Sequence, residues 1–243
     1  MGAWSIRAVF QPLVSLDTGE TIGYEALARG PVGTPLECPE ALLGYAARLG
    51  RLGELDWECR AAAVRGALEA GLPHQLALFV NIEPAAAATP CPPEFERLFC
   101  TARRRLQIVA EVTERDIAEQ PEALVAAVRT LRAADIRVAI DDVGAEPDSQ
   151  AMMPLLRPDV IKLDKVIVGD PTGDLARQVV AAARAQADET GAVILAEGIE
   201  TEDDLAAARS LGADLGQGYL FGRPAALPRQ FGRPSRVLPL LAA

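Results

Sequence analysis

The chain has 243 residues, half of them hydrophobic, and a formal net charge of −10. This composition supports a substantial core and excludes disorder, and the acidic balance argues against long nucleic-acid polymers, which demand basic surfaces. No apolar run approaches the roughly 20 residues of a membrane helix, and the N-terminus lacks a signal-peptide pattern, so a cytoplasmic protein without a membrane partner is expected.

The predicted elements alternate from end to end. Residues 6–16, "IRAVFQPLVSL", read as a strand, "DTGE" as a turn, and "IGYEALA" as a second strand. So short a turn makes this first pair an antiparallel hairpin. Two helical stretches follow, "PEALLGYAARLG" and "LGELDWECRAAAVRGALEAGL". Then strand and helix take turns: "LALFVNI" with "PEFERLFCTARRR", "QIVAEVTE" with "QPEALVAAVRTLRAA", and "RVAIDDV" with a short helical piece at "AMMPLL". "DVIKLDK" is paired with "GDLARQVVAAARAQADETG", and "AVILAEGIE" with "TEDDLAAARSLG", a helix opened by a Thr201–Asp204 capping pattern. "LGQGYLFG" closes the series. Apolar strands alternating with amphipathic helices imply a mostly parallel sheet, and about eight of them imply an α/β fold of (β/α)8, TIM-like barrel type. Residues 1–224 form the barrel in this reading and 225–243 a C-terminal surface tail in which "FGRP" recurs.

The functional classes narrow quickly. The single histidine, His74, precedes a strand and is poorly placed for a hydrolase triad. Cys38, Cys59, Cys91 and Cys100 show no zinc-ligand spacing and read as idle thiols. What stands out is the C-terminal ends of the strands, where a barrel keeps its active site. They deliver Glu25 with Arg29 nearby, Asn81, Glu111 and Glu114, Asp141 and Asp142, Lys162 and Asp164, Glu197, and Gln217. Lys162 and Lys165 are the only lysines among 24 basic residues, which adds weight to a lysine at a strand end. Several carboxylates in one cleft cannot all stay ionised uncompensated, so either their pKa values rise or cations neutralise them. Oxygen donors with an amide, and no histidine or cysteine cluster, suit hard divalent ions such as Mg²⁺ or Mn²⁺. Adjacent aspartates allow one carboxylate to bridge two such ions, an arrangement suited to phosphodiester attack.

The segment "FQPLVSLDTGETIGYEALAR", followed in order by "VNIEP", "AEVTE", "AIDDVG", "IKLD", "AEGIET" and "LGQGYLFGRP", resembles the EAL domain, the cyclic di-GMP phosphodiesterase domain of bacteria, from about Arg7 to Pro224. The resemblance implies that Glu25, Asn81, Glu111 and Asp141 hold a first metal and that Asp141 bridges to a second, bound also by Asp142. It gives Lys162 the orientation of the attacking water. Glu197 becomes a general base or a water-mediated metal ligand, and Glu114 a residue that fixes the loop after the paired aspartates. Arg29 is assigned to a substrate phosphate, and Gln11 and Gln217 to the nucleotide site. The implied reaction opens cyclic di-GMP to linear pGpG with two divalent cations, Mg or Mn. A homodimer and a regulatory partner protein are further expectations, since 243 residues leave no room for a separate sensor domain.

The sequence departs from the family's usual D-D-F-G-T-G-Y-S-S-L run. Val143, Ala145, Glu146, Pro147 and Asp148 replace its Phe, Thr, second Gly, Tyr and first Ser. Ala145 removes a hydroxyl partner for Glu114, and Glu146 forbids a glycine-only conformation. Two readings therefore stand: an active phosphodiesterase with a variant loop, or a receptor that binds cyclic di-GMP without efficient turnover.

Overall fold

Eight strands close into a barrel in sequence order in the computed structural model, which describes residues 4–83, 89–113, 121–145 and 153–232. The strands are β1 (Arg7–Ser15), β2 (Thr21–Arg29), β3 (Ala77–Asn81), β4 (Gln107–Thr113), β5 (Arg137–Val143), β6 (Val160–Leu163), β7 (Val193–Ala196) and β8 (Leu215–Gln217). β1 runs antiparallel to both its neighbours, β2 and β8, while all other adjacent pairs are parallel. One reversed strand in an otherwise parallel barrel is what the four-residue turn predicts. That turn closes with Gly19, whose φ of 72° a residue with a Cβ adopts only at a cost.

The helices are α1 (Pro39–Arg48), α2 (Leu52–Glu69), α3 (Pro93–Arg105), α4 (Pro121–Ala133), α5 (Met153–Leu156), α6 (Lys165–Gly169), α7 (Asp174–Thr190) and α8 (Glu202–Ser210). Strand side chains alternate between two cores. Leu13, Phe79, Val109, Ala139, Val160, Leu195 and Leu215 fill the barrel interior. Their chain neighbours, such as Leu78, Val80, Val138, Ile140, Ile161 and Ile194, pack outward against the helices.

The structure also corrects the reading in places. Lys165 is not the end of a strand. β6 stops at Leu163, and Asp164 caps α6 by accepting the Val166 N–H at 2.8 Å. A period-2 pattern cannot see this, because one capping aspartate ends the strand and starts a helix. The Thr201 capping box is present as the spacing predicts, with the Asp204 N–H donating to Thr201 Oγ1 at 3.2 Å and the Thr201 N–H to Asp204 at 2.9 Å. His74 is exposed on the far side of the strands from their C-terminal ends. Between Pro224 and Gly232, the last described residue, the chain touches the barrel at two points: Ala225 exchanges two backbone hydrogen bonds with Phe10, and Phe231 packs edge-on against Tyr24. No helix among the described residues is long and apolar enough to cross a membrane.

Candidate active site

In six strands, two residues beyond the last interior apolar side chain, the next inward position is polar. Phe79 is followed by Asn81, Val109 by Glu111, Ala139 by Asp141, Val160 by Lys162, Leu195 by Glu197 and Leu215 by Gln217. In the reversed β1 the order inverts, and Gln11 precedes Leu13. The period of two thus lays a polar floor on an apolar plug, at the end of the barrel where active sites form. Asp142 would point outward in a regular strand. It has a left-handed backbone instead, φ 58°, at a break in the β5–β6 register between Ile140 and Val143. The break turns its carboxylate towards its neighbour's side of the sheet, so that Asp141, Asp142 and Glu197 offer oxygens within 4.8 Å of one another. Asp tolerates this conformation better than most residues. Behind it, Gly144 has φ 103°, and a Cβ there would lie 2.7 Å from the Ile167 side chain.

Lys162 is fully buried at the centre of the floor. Its Nζ lies 2.6 Å from Glu111 Oε1, 2.8 Å from Asp141 Oδ1, 2.8 Å from Glu197 Oε1 and 3.7 Å from Glu25 Oε2. Asn81 Nδ2 donates to Glu25 at 3.1 Å and to Glu111 at 3.3 Å. Gln217 Nε2 donates to Glu25 at 2.6 Å and to Gln11 at 3.1 Å, and Gln11 donates onward to the Gly222 carbonyl at 3.1 Å. A close approach allows this last turn: a Cβ on Gly218 would lie 2.0 Å from the Ile199 carbonyl oxygen.

The charges do not balance. Among the described residues, five carboxylates, on Glu25, Glu111, Asp141, Asp142 and Glu197, crowd around one buried ammonium. Burial disfavours a charged Lys162, but Asp141, Glu111, Glu197 and Glu25 together outweigh it and hold the lysine protonated. Burial and then Glu25 push the Glu111 carboxyl well above its ordinary range. Burial, with Asp141 and Glu25 behind it, pushes Glu197 to about 8 against the pull of Lys162. Burial and Asp141 push Asp142 to about 6. A site that strains against its own charge in this way is suited to cations.

Whether divalent ions fit can be tested on the donor set. Ligand oxygens of Glu25, Glu111 and Asp141 lie within 4.8 Å of one another, as do those of Asp141, Asp142 and Glu197. Asp141 belongs to both groups. All of these donors are hard oxygen atoms, with Lys162 already showing that the basin accepts a cation. The residues present fit oxygen-ligated divalent ions.

A cleft opens over this floor in two lobes. One, about 330 Å³, is lined by Gln11, Glu197 and Gln217 together with Lys165, Glu200 and Tyr219. The other, about 400 Å³, is more apolar and runs past Asn81 to Leu27, Leu42, Leu43 and Ile82. Glu25 and Asp142 border both lobes. Arg29 is not joined to the cluster: it lies at the last position of β2, donates to its own neighbour's carbonyl (Ala28) at 2.8 Å, and is near Glu37. Glu114, Glu146, Pro147 and Asp148 lie outside the described residues. Sequence reasoning did not single out Lys165 or Tyr219 as cleft residues. The scarcity of lysine was a signal for the first, while Tyr219, with Arg223 stacked over its ring at 4.0 Å, sits two residues past Gln217 in a turn that carries no strand period.

The EAL domain family model matches residues 3–224. An uncharacterized protein of Azorhizobium caulinodans is 34% identical over 226 residues, covering 88% of this chain and 30% of that protein. The cyclic di-GMP phosphodiesterase NbdA of Pseudomonas aeruginosa is 30% identical over 230 residues, 88% of this chain and 28% of that protein. The chain thus spans about a third or less of the length of these curated relatives. Among solved structures, a calcium and cyclic di-GMP complex of Klebsiella pneumoniae BlrP1 superposes with a TM-score of 0.78 at 27% identity, covering 91% of this chain and 56% of that one.

Proposed function

The chain belongs to the EAL domain family, and on that premise we propose that it is a metal-dependent phosphodiesterase that hydrolyses cyclic di-GMP to linear pGpG. The observation that carries this reading is Asp141, shared between two oxygen clusters and 2.8 Å from the buried ammonium of Lys162. The relatives support the substrate: NbdA is a cyclic di-GMP phosphodiesterase, and BlrP1 was solved with cyclic di-GMP.

In this reading Glu25, Asn81, Glu111 and Asp141 would hold one divalent cation, Mg or Mn, and Asp141 and Asp142 would hold a second. When bound, the cations supply Lewis acidity that acidifies water and neutralises charge on the phosphodiester. The protein does the rest. Lys162, fixed by three carboxylates, donates a hydrogen bond that orients the attacking water towards phosphorus. Glu197 accepts the proton that this water loses, or holds the second cation through a water. Water adds to phosphorus as one phosphodiester P–O bond breaks, and the departing sugar oxygen takes up a proton. Gln11 and Gln217, already hydrogen-bonded to each other and to the floor, line the polar lobe and bind nucleotide edges. Arg29, partly exposed beyond Glu25 on the same strand, would exchange its hydrogen bond to the Ala28 carbonyl for a substrate phosphate. The protein would work as a soluble cytoplasmic enzyme, with a homodimer or a regulatory partner as its route of control.

The test is turnover of cyclic di-GMP by the full chain with Mg²⁺ or Mn²⁺, beside Glu25→Ala and Lys162→Ala. Linear product from the wild type alone supports the enzyme. Binding without product would make the chain a cyclic di-GMP receptor, and would point to the residues after Ala145 as the place where activity was lost. Neither binding nor product would assign the carboxylates to another substrate.

A further inference from the structure

The β3–β4 ladder ends one residue past Asn81, where the Ile82 N–H donates to the Glu111 carbonyl at 2.9 Å. The next amide, that of Glu83, donates at 3.0 Å to a side chain: Oδ1 of Asp56, on α2. Asp56 is 4% exposed and pairs with Arg60, one helical turn on and itself 9% exposed. The chain meets the same helix again at Thr89, whose carbonyl accepts a hydrogen bond from Trp57 Nε1 at 2.9 Å. Arg60 serves both ends, since its guanidinium also lies 4.6 Å over the Trp57 ring. Trp57 also packs edge-on against Phe99 of α3, with ring centroids 5.3 Å apart.

Two residues of one helix, Asp56 and Trp57, thus bond the chain on either side of residues 84–88, and Arg60 contacts both of them. A buried ion pair contributes little net stability compared with apolar residues of the same volume. What this one supplies is direction: its carboxylate fixes a backbone amide two residues from Asn81, the last residue of β3.

We propose that Asp56 and Trp57, braced by Arg60, are positioning residues that hold Asn81 in place as a metal ligand. The inference rests on the reading of Asn81 given above and extends it to residues that act on the metal through that ligand, Asp56 itself bordering the more apolar lobe of the cleft. Partners of this kind orient ligands, and losing one typically weakens metal binding about 10–100-fold.

The experiment is calorimetric titration of Mn²⁺ into the full chain without nucleotide, so that no turnover enters the readout. Asp56→Ala should weaken Mn²⁺ binding by about 10–100-fold, and Trp57→Phe, which keeps the ring and loses only the N–H, by a smaller factor. In an Asn81→Ala background Asp56→Ala should add almost nothing, because both changes act through one ligand. A melting temperature that falls while Mn²⁺ affinity stays at the wild-type value would overturn the proposal, as would full additivity with Asn81→Ala. Should Asp56→Ala fail to fold, Trp57→Phe decides alone, and unchanged affinity there is equally fatal. A wild type that binds no Mn²⁺ would sink the metal reading and the clamp together, whereas normal wild-type binding with unaltered variants would sink the clamp only.

Discussion

Inside the barrel, Phe79 and Glu111 lie on adjacent strands two register positions apart, both point inward and both are fully buried. Phe79 belongs to the apolar plug, whose neighbours all benefit from its presence. Glu111 belongs to the polar floor, where its neighbours raise its pKa and benefit only through Lys162. One layer is the hydrophobic effect at work, and the other keeps like charges together at a cost to the fold. The lesson is that strand alternation sets which side a residue faces, while depth along the strand sets whether it holds the fold together or does chemistry.

The contrast can be broken from either side. Phe79→Ala should have the largest effect, a loss of about 3–5 kcal/mol from the removed side chain and the space left behind. Denaturant unfolding would measure it, and molecules that remain folded should still turn over substrate. Glu111→Gln should do the reverse. Turnover should fall by more than about 100-fold, the upper end of what partners of metal ligands cost. In metal-free buffer, however, the thermal midpoint should rise, by the equivalent of about 0.5–2 kcal/mol, because the neutral amide relieves a carboxylate that the site disfavours. A lower metal-free midpoint would mean that the ion pair with Lys162 outweighs the crowding of charge. Thr201→Ala sets the scale for a residue in neither layer: loss of the α8 cap should cost about 1 kcal/mol in unfolding and leave turnover untouched.

Much of this was legible before any coordinates. The alternation of strands and helices predicts the barrel, and the short turn after Ser15 predicts the reversed first strand. Glu25, Asn81, Glu111, Asp141, Lys162, Glu197 and Gln217 stand out together, because one polar residue at a strand end is ordinary and a carboxylate, amide or ammonium at the end of nearly every strand is not. Other features were hidden for definite reasons. Asp142 is named from its place beside Asp141, but how it reaches the cleft was hidden: a break in register and a positive φ turn it inward, and neither leaves a mark on a periodic pattern. Asp56, Trp57 and Arg60 look like an ordinary helical ion pair beside an aromatic residue. Only tertiary packing reveals that the pair is buried and that its carboxylate caps a strand from elsewhere in the chain. Lys165 read as strand because the capping role of Asp164 depends on what the chain does next.

The reversal of β1 carries one more consequence. Arg7 pairs with Arg29, so the start of β1 lies at the rim where the other strands finish, beside the cleft and not at the closed end. Anything spliced ahead of Arg7, whether a fluorescent label, an affinity tag or another folded module, is therefore delivered to the doorway of the site. For anyone engineering the chain, its front end is the natural handle for reporting on occupancy of the cleft and the worst place for a bulky purification tag.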